Sequence, residues 1–189
     1  MEKIVLVGYG GHAKSIADCI ERQGEYEIVG YTDPIRHDSP YRYLGTDAIL
    51  QTCRESGVSN AVLCLGYLGK GVVRQNLYYH LKELGFLLPL IADPSAIISG
   101  SAEIGEGVFI GKSAIINAEA KIGRMAIINT KALIEHECIV GDFTHVAVGA
   151  VLCGQVEVGK GALIGANATV IQQRKIADYQ IVPAGAVVR

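Results

Sequence analysis

Residues 104–150 read IGEGVFIGKSAIINAEAKIGRMAIINTKALIEHECIVGDFTHVAVGA, and in them an aliphatic residue returns at every sixth position: Ile104, Ile110, Ile116, Ile122, Ile128, Ile134, Val140 and Val146. The register runs back to Ile98 and on through Leu152, Val158, Ile164, Val170, Ile176, Val182 and Val188, sixteen aliphatic residues without a break. A period of six fits neither a helix of 3.6 residues per turn nor a flat strand. It does fit a chain of very short strands that turns a corner after each one, so that every hexad sends one aliphatic residue into a common core. The residue four positions further on is mostly small, as at Ala114, Ala120, Ala126, Ala132, Cys138 and Ala150, which keeps that core narrow. Glycine follows the aliphatic residue at Gly105, Gly111, Gly123, Gly141, Gly159 and Gly165, where it is expected to relieve the backbone as the chain bends. The pattern predicts a hexapeptide-repeat β-helix over 93–189.

Composition agrees with thin repeated layers. Half of the 189 residues are hydrophobic, yet only 6% are aromatic, none is Trp and 23 are Gly, so Ile, Val, Leu and Ala must build the core. The formal charge of −2 comes from interspersed acids and bases, and without a Lys/Arg run nucleic-acid binding is not expected. No apolar run is long enough to span a bilayer, and the start MEKIVLVGYG lacks a basic n-region and a cleavage site, which predicts a soluble cytoplasmic protein. Cys19, Cys53, Cys64, Cys138 and Cys153 are odd in number and form no CxxC pair, so reduced, mostly buried thiols are expected.

Residues 1–92 have a different rhythm. KIVLV is a strand, GHAKSIADCIERQ a helix with Ala13, Ile16, Ala17 and Ile20 on one side, YEIVGYTD a second strand and NAVLCLGY a third. GVVRQNLYYHLKELG is a second helix and FLLPLIA a last strand. Alternating strands and helices predict a small Rossmann-like α/β domain with a parallel sheet. Between the first strand and helix, Gly8-Tyr9-Gly10-Gly11-His12-Ala13 matches G-x-G-x-x-G/A, and Asp33 closes the next strand twenty residues beyond Ala13. The backbone N–H groups of such a turn can hold a phosphate while the acid bonds a sugar hydroxyl. The alternative is a tight turn beside a packed helix. Only half of a doubly wound fold is present, which suits a nucleotide or nucleotide-sugar better than a nicotinamide dinucleotide. His12 would contact ligand or cap the helix, and Gly66 falls at the same carboxyl edge, ahead of a loop containing Gly69-Lys70-Gly71.

The repeat half resembles the left-handed β-helix of the hexapeptide acyltransferases, in which three hexads complete one triangular coil. The resemblance implies an eighteen-residue coil and a homotrimer. On that coil His136 has Gly154 one turn on and Ala118 one turn back, leaving open space above and below the imidazole. Glu137 follows it directly, with Glu119 and Gln155 in adjacent coils, so a polar lane runs beside the histidine. Acyl transfer from a thioester needs a base for the attacking group and a donor for the oxyanion; His136 supplies the first and the Gly154 N–H the second. A solvated polar edge is the alternative reading. His145 lies half a coil away on another face, and two such histidines lack a third ligand, so no metal is expected. Cys138 occupies the small-residue slot and should point inward, away from any chemistry.

VGYGGHAKSIAD, then ADPSAIIS, then IINTKALIEHECIVGDFTHVAVGAVLCG resemble the PglD/NeuD-type sugar acetyltransferases along nearly the whole chain. The resemblance implies acetyl-CoA as donor, His136 as general base, and Glu137 raising its basicity. It implies that Gly10, Gly11, His12 and Asp33, with Gly66 beside them, hold a UDP-linked amino-sugar. It also implies that His145 of a neighbouring subunit, with Ala166 and Ala184, lines the CoA cleft. O-acetylation of a sugar such as sialic acid and a non-catalytic nucleotide-binding scaffold stand as the other readings.

Overall fold

The computed structural model describes residues 1–66 and 72–189; the Gly69-Lys70-Gly71 stretch lies outside the described residues. The chain divides into two compact units, 1–89 and 90–189.

The first unit is a parallel sheet in the order β3-β2-β1-β4, built from β1 (Glu2–Val7), β2 (Tyr26–Thr32), β3 (Tyr43–Gly45) and β4 (Asn60–Leu63). Ile4, Val5, Leu6 and Val7 are fully buried, the continuous apolar run expected of a strand covered on both faces. Helix α1 (Gly11–Gln23) buries Ala13, Ile16, Ala17 and Ile20 along the predicted stripe and ends at Gly24, whose left-handed φ of 71° lets its N–H reach Ile20 O. Helices α2 (Leu50–Glu55) and α3 (Val72–Glu83) complete the unit.

Three parts of this unit depart from expectation. Strand β3 and the short helical stretch from Asp47 to Glu55 occupy a segment with no strand or helix period. The predicted last strand of FLLPLIA contributes to the first sheet only a single bridge from Leu87 to Asn60. Its other end, Ile91–Ala92, pairs with Phe109–Ile110 and so opens the second unit. That pairing also puts the division between the units ahead of residue 92.

The second unit is a parallel β-helix. Successive pairings carry Ile91 to Phe109, Ile127, His145, Leu163 and Ile181, five steps of eighteen residues. Two-residue strands form three parallel sheets, two of six strands and one of five, consistent with the left-handed triangular coil that the resemblance implied. In each strand the second residue faces the core: Ile110, Ile116, Ile122, Ile128, Ile134, Val140, Val146, Leu152, Val158 and Ile164 are all buried. Ile98, Ile104 and Val188 are only partly buried because they lie in the end coils. Cys138 is fully buried, its Sγ donating to Cys153 O at 3.1 Å, and burial pushes its thiol pKa up. Facing the core and held as a thiol, it is no nucleophile.

The hexad glycines play a different part from the one expected. The positive φ at each corner falls two residues later, and mostly on other residue types: Ser113, Glu119, Met125, Lys131, Glu137, Phe143, Gln155, Gln173 and Tyr179 have φ between 55° and 60°. What the glycines permit is close approach of the next coil. A Cβ on Gly141 would lie 2.6 Å from Lys160 N and 2.7 Å from Gly159 C, and backbone cannot swing aside. Gly141→Ala is therefore expected to cost roughly 1–3 kcal/mol, seen as a lower midpoint of chemical denaturation. An unchanged midpoint would refute this account of the glycines.

Candidate functional site

At the carboxyl edge of the first unit's sheet, the ends of β1, β2 and β4 and the start of α1 surround a cavity of about 660 Å³. Its lining contains all five residues predicted to hold substrate, Gly10, Gly11, His12, Asp33 and Gly66. Three glycines of the turn separate by role. Gly8 has a φ of 88°, and a Cβ there would lie 2.5 Å from Leu65 Cδ1, so the fold itself requires it. At Gly10 and Gly11 a Cβ would meet nothing within 4 Å. Packing imposes nothing at these two positions; their missing side chains leave the helix N-terminus open to the cavity.

Asp33 is more occupied than predicted. Its Oδ2 accepts from Tyr9 N at 2.8 Å and its Oδ1 from Ile35 N at 3.1 Å, with His37 Nε2 at 3.0 Å. Partial burial pushes the carboxyl pKa up, but those two amides and His37 outweigh it and hold the group below its ordinary value. The carboxylate thus ties the glycine turn to the end of β2 while still facing the cavity. Tyr9, which the motif leaves as an unspecified residue, stacks on Tyr31 with ring centroids 4.3 Å apart, and Tyr31 Oη bonds both the N–H and the C=O of His37. Asp47, whose Oδ1 accepts from Thr32 Oγ1 at 2.6 Å, and Asn76 of α3 also line the cavity. Sequence reasoning passes over both, since neither lies in a motif. Lys14, one turn into α1, lines an adjoining hollow with Gly10 and Gly11; a cation beside a phosphate-sized opening is the signal that could have singled it out.

In the second unit His136 stands at the corner after the strand Leu133–Ile134. Its side chain is half exposed, and Nδ1 lies 3.0 Å from Glu137 Oε2. With Nδ1–H donating to the carboxylate, Nε2 carries the free lone pair. Glu137 Oε2 also accepts from Gln155 Nε2 at 3.1 Å. The bonds from His136 and Gln155 together hold the Glu137 carboxyl below its usual range, so it stays ionised wherever a histidine base would work. Behind the ring, Glu135 Oε2 accepts from His136 N at 3.3 Å and from Asn117 Nδ2 at 3.1 Å. The predicted open space on the Gly154 side is filled. A Cβ on Gly154 would lie 2.6 Å from both Cε1 and Nε2 of His136, so the imidazole itself takes up the room that the glycine leaves.

His145 lies in another sheet, paired with Ile127 and Leu163, and its Nε2 is 3.2 Å from Asn129 Nδ2. Ala166 and Ala184 stack one coil apart, with Gly185 N donating to Ala166 O at 2.9 Å, on the corner that follows the His145 sheet. Within one chain the structure sets His145 and the two alanines apart from His136. Among the described residues no group of three His, Cys, Asp or Glu side chains could hold a metal, and no helix is long and apolar enough to cross a membrane.

Residues 3–81 match the PglD N-terminal domain. The whole chain superposes on a histidine-to-alanine mutant of GDP-perosamine N-acetyl transferase from Caulobacter crescentus, in complex with CoA and GDP-perosamine. The TM-score is 0.94 at 34% identity, over 100% of this chain and 89% of that one. The chain belongs to the PglD-type sugar acetyltransferases. The acetyltransferase domain of PglB from Neisseria gonorrhoeae in complex with acetyl coenzyme A is similar at 27% identity and a TM-score of 0.91, over 99% of this chain and 92% of that one. WeeI from Acinetobacter baumannii, 18% identical over 99% of this chain and 96% of that one, shares the fold with a TM-score of 0.78. As a PglD-type enzyme, this protein is an acetyl-CoA-dependent acetyltransferase of the hexapeptide-repeat class.

Proposed function

We propose that this acetyltransferase moves the acetyl group of acetyl-CoA onto the amine of a nucleotide-linked amino-sugar, with His136 as general base. The observation that carries the reading is the His136–Glu137 contact, which leaves Nε2 free at an exposed corner. The neutral amine attacks the thioester carbonyl carbon, Nε2 takes the amine proton, and the C–S bond breaks as the protonated imidazole returns that proton to the departing sulfur, which releases CoA as the thiol and regenerates the base. The Gly154 N–H, which makes no hydrogen bond among the described residues, is the donor for the oxyanion.

The nucleotide end of the acceptor binds in the cavity of the first unit, its phosphates on the open turn at Gly10, Gly11 and His12 and its ribose near Asp33. The family resemblance favours UDP, while the GDP-perosamine bound by the Caulobacter relative makes a GDP-linked sugar the second reading. The chain works in the cytoplasm as a homotrimer. Support for the trimer comes from the sheet carrying Leu133, whose outward residues Ile97, Ile115, Leu133, Val151 and Val187 are apolar and are joined by one polar residue, Thr169, with Ile97 64% and Val187 56% exposed. His136 stands at the edge of that face. His145 of a neighbouring subunit, with Ala166 and Ala184, lines the CoA cleft.

The test is a panel of UDP- and GDP-linked amino-sugars, with sialic acid as a hydroxyl acceptor, incubated with acetyl-CoA while thiol release is followed. Turnover confined to sialic acid would overturn N-acetylation. Gly11→Ala adds a probe of the first unit. Alanine is the better helix residue by up to about 1 kcal/mol, so the melting temperature should hold or rise. Affinity for the nucleotide-sugar should fall about tenfold as the new methyl enters the phosphate space. Normal affinity in the Gly11→Ala variant would return the turn to a purely structural role.

A further inference from the structure

Residues 119, 137, 155 and 173 stand at one corner of four successive coils. The backbone fixes them in a column: Glu137 N donates to Ala118 O at 2.9 Å, Gln155 N to His136 O at 3.0 Å and Gln173 N to Gly154 O at 3.0 Å. All four residues share the same left-handed φ, 59° to 60°, so their side chains leave the coil from equivalent backbones.

An ionised Glu137 can only accept. Gln155 must therefore turn its NH2 toward Glu137, and this aims its Oε1 at the next coil. There Gln173 donates Nε2 to Gln155 Oε1 at 2.9 Å. Both amides are thereby oriented the same way, donors toward Glu137, and the line ends at His136: Gln173 to Gln155 at 2.9 Å, Gln155 to Glu137 at 3.1 Å, and His136 Nδ1 to the same Oε2 at 3.0 Å. On the other side of Glu137 the column holds Glu119, a like charge that cannot donate.

We propose that Gln155, backed by Gln173, is a positioning residue for catalysis: it holds the Glu137 carboxylate against Nδ1 of His136 and so fixes the tautomer in which Nε2 is the base. This rests on the reading of His136 as the general base. All three side chains of the ladder are exposed, and solvent-exposed hydrogen bonds of this kind add little to stability. Glu137, about half exposed, would turn into water without them. The gain is orientation of the base, where an error of about 1 Å can cost on the order of a hundredfold in rate. Outer partners of a histidine set its tautomer in the same way.

The decisive variant is Gln155→Asn. Asparagine accepts the left-handed backbone, so the coil folds, but its amide falls short of Glu137. Gln155→Leu removes the donor altogether. The 15N resonances of the His136 ring, assigned by comparison with His136→Ala, report the tautomer in the free trimer without any substrate. Steady-state kinetics use acetyl-CoA with the UDP- or GDP-linked amino-sugars of the panel. In both variants kcat should drop about tenfold with KM for acetyl-CoA within twofold, and the ring should change from a single Nδ1–H form to a mixture of tautomers. Gln173→Leu should move both readouts the same way by a smaller factor. Wild-type kcat and an unchanged tautomer in Gln155→Asn would overturn the positioning role while leaving the base assignment intact, provided His136→Ala is inactive. An active His136→Ala would overturn both.

Discussion

His136→Ala is expected to lower kcat by at least about a hundredfold, because positioned general bases contribute roughly 10²- to 10⁴-fold. Among the described residues the nearest other proton acceptor is the Glu137 carboxylate, which faces Nδ1 rather than the open side of the ring. KM for acetyl-CoA should change little, since the imidazole acts on the amine. Stability should change by no more than about 0.5 kcal/mol, as for other surface substitutions, because the side chain is 54% exposed. Thiol-release kinetics and a denaturation midpoint of the variant check both halves of this expectation, and a fully active, normally folded variant would end the assignment of His136 as base.

The sheet-forming half is legible because one physical demand, an aliphatic residue facing a narrow core at each step, repeats sixteen times with nothing to mask it. The same demand explains where legibility stops. Glycine satisfies two separate needs, a left-handed φ and a close neighbour, and a sequence cannot tell them apart. In this coil Gly141 meets the second need, while the first is met by residues as unlike as Glu137, Phe143 and Gln155. Strand β3 escapes notice because three residues, Tyr43 to Gly45, are too few to establish a period, and they follow a segment of Pro, Asp, Ser and Arg. Its position is set by pairing with Tyr31 and Thr32, which is information from another part of the chain.

The candidate site shows the same division. Motif spacing brings Gly10, Gly11, His12, Asp33 and Gly66 to one cavity edge, since each closes or follows a strand of one parallel sheet. It could not show that Asp33 is already bound to the Tyr9 and Ile35 amides, because those bonds depend on how the turn folds back. Tyr9, Asp47 and Asn76 enter the lining through packing alone. For His136, the eighteen-residue coil places Gln155 and Gly154 beside it, yet which neighbour leaves space and which fills it depends on the side-chain conformations of the folded coil.

That distinction sets up the second large effect. Spacing alone assigns Gly154 a single task, donation of its N–H to the oxyanion, and alanine would keep that N–H. The structure adds another: a Cβ on Gly154 would stand 2.6 Å from Cε1 and Nε2 of His136, well inside contact distance. The ring is an exposed side chain that can rotate away, so Gly154→Ala should fold with near-normal stability, its backbone lying outside the left-handed region. The rotation nevertheless carries Nε2 off its position, and kcat should fall about thirty- to a hundredfold. If the oxyanion contact were the whole role of this residue, the variant would retain nearly full activity. Combining the two substitutions separates the cases further: in a His136→Ala background there is no ring to displace, so adding Gly154→Ala should cost almost nothing more, a non-additivity expected of residues in direct contact. A further large loss in the double variant would show that the new methyl does harm other than by displacing the histidine, and would overturn this account of Gly154.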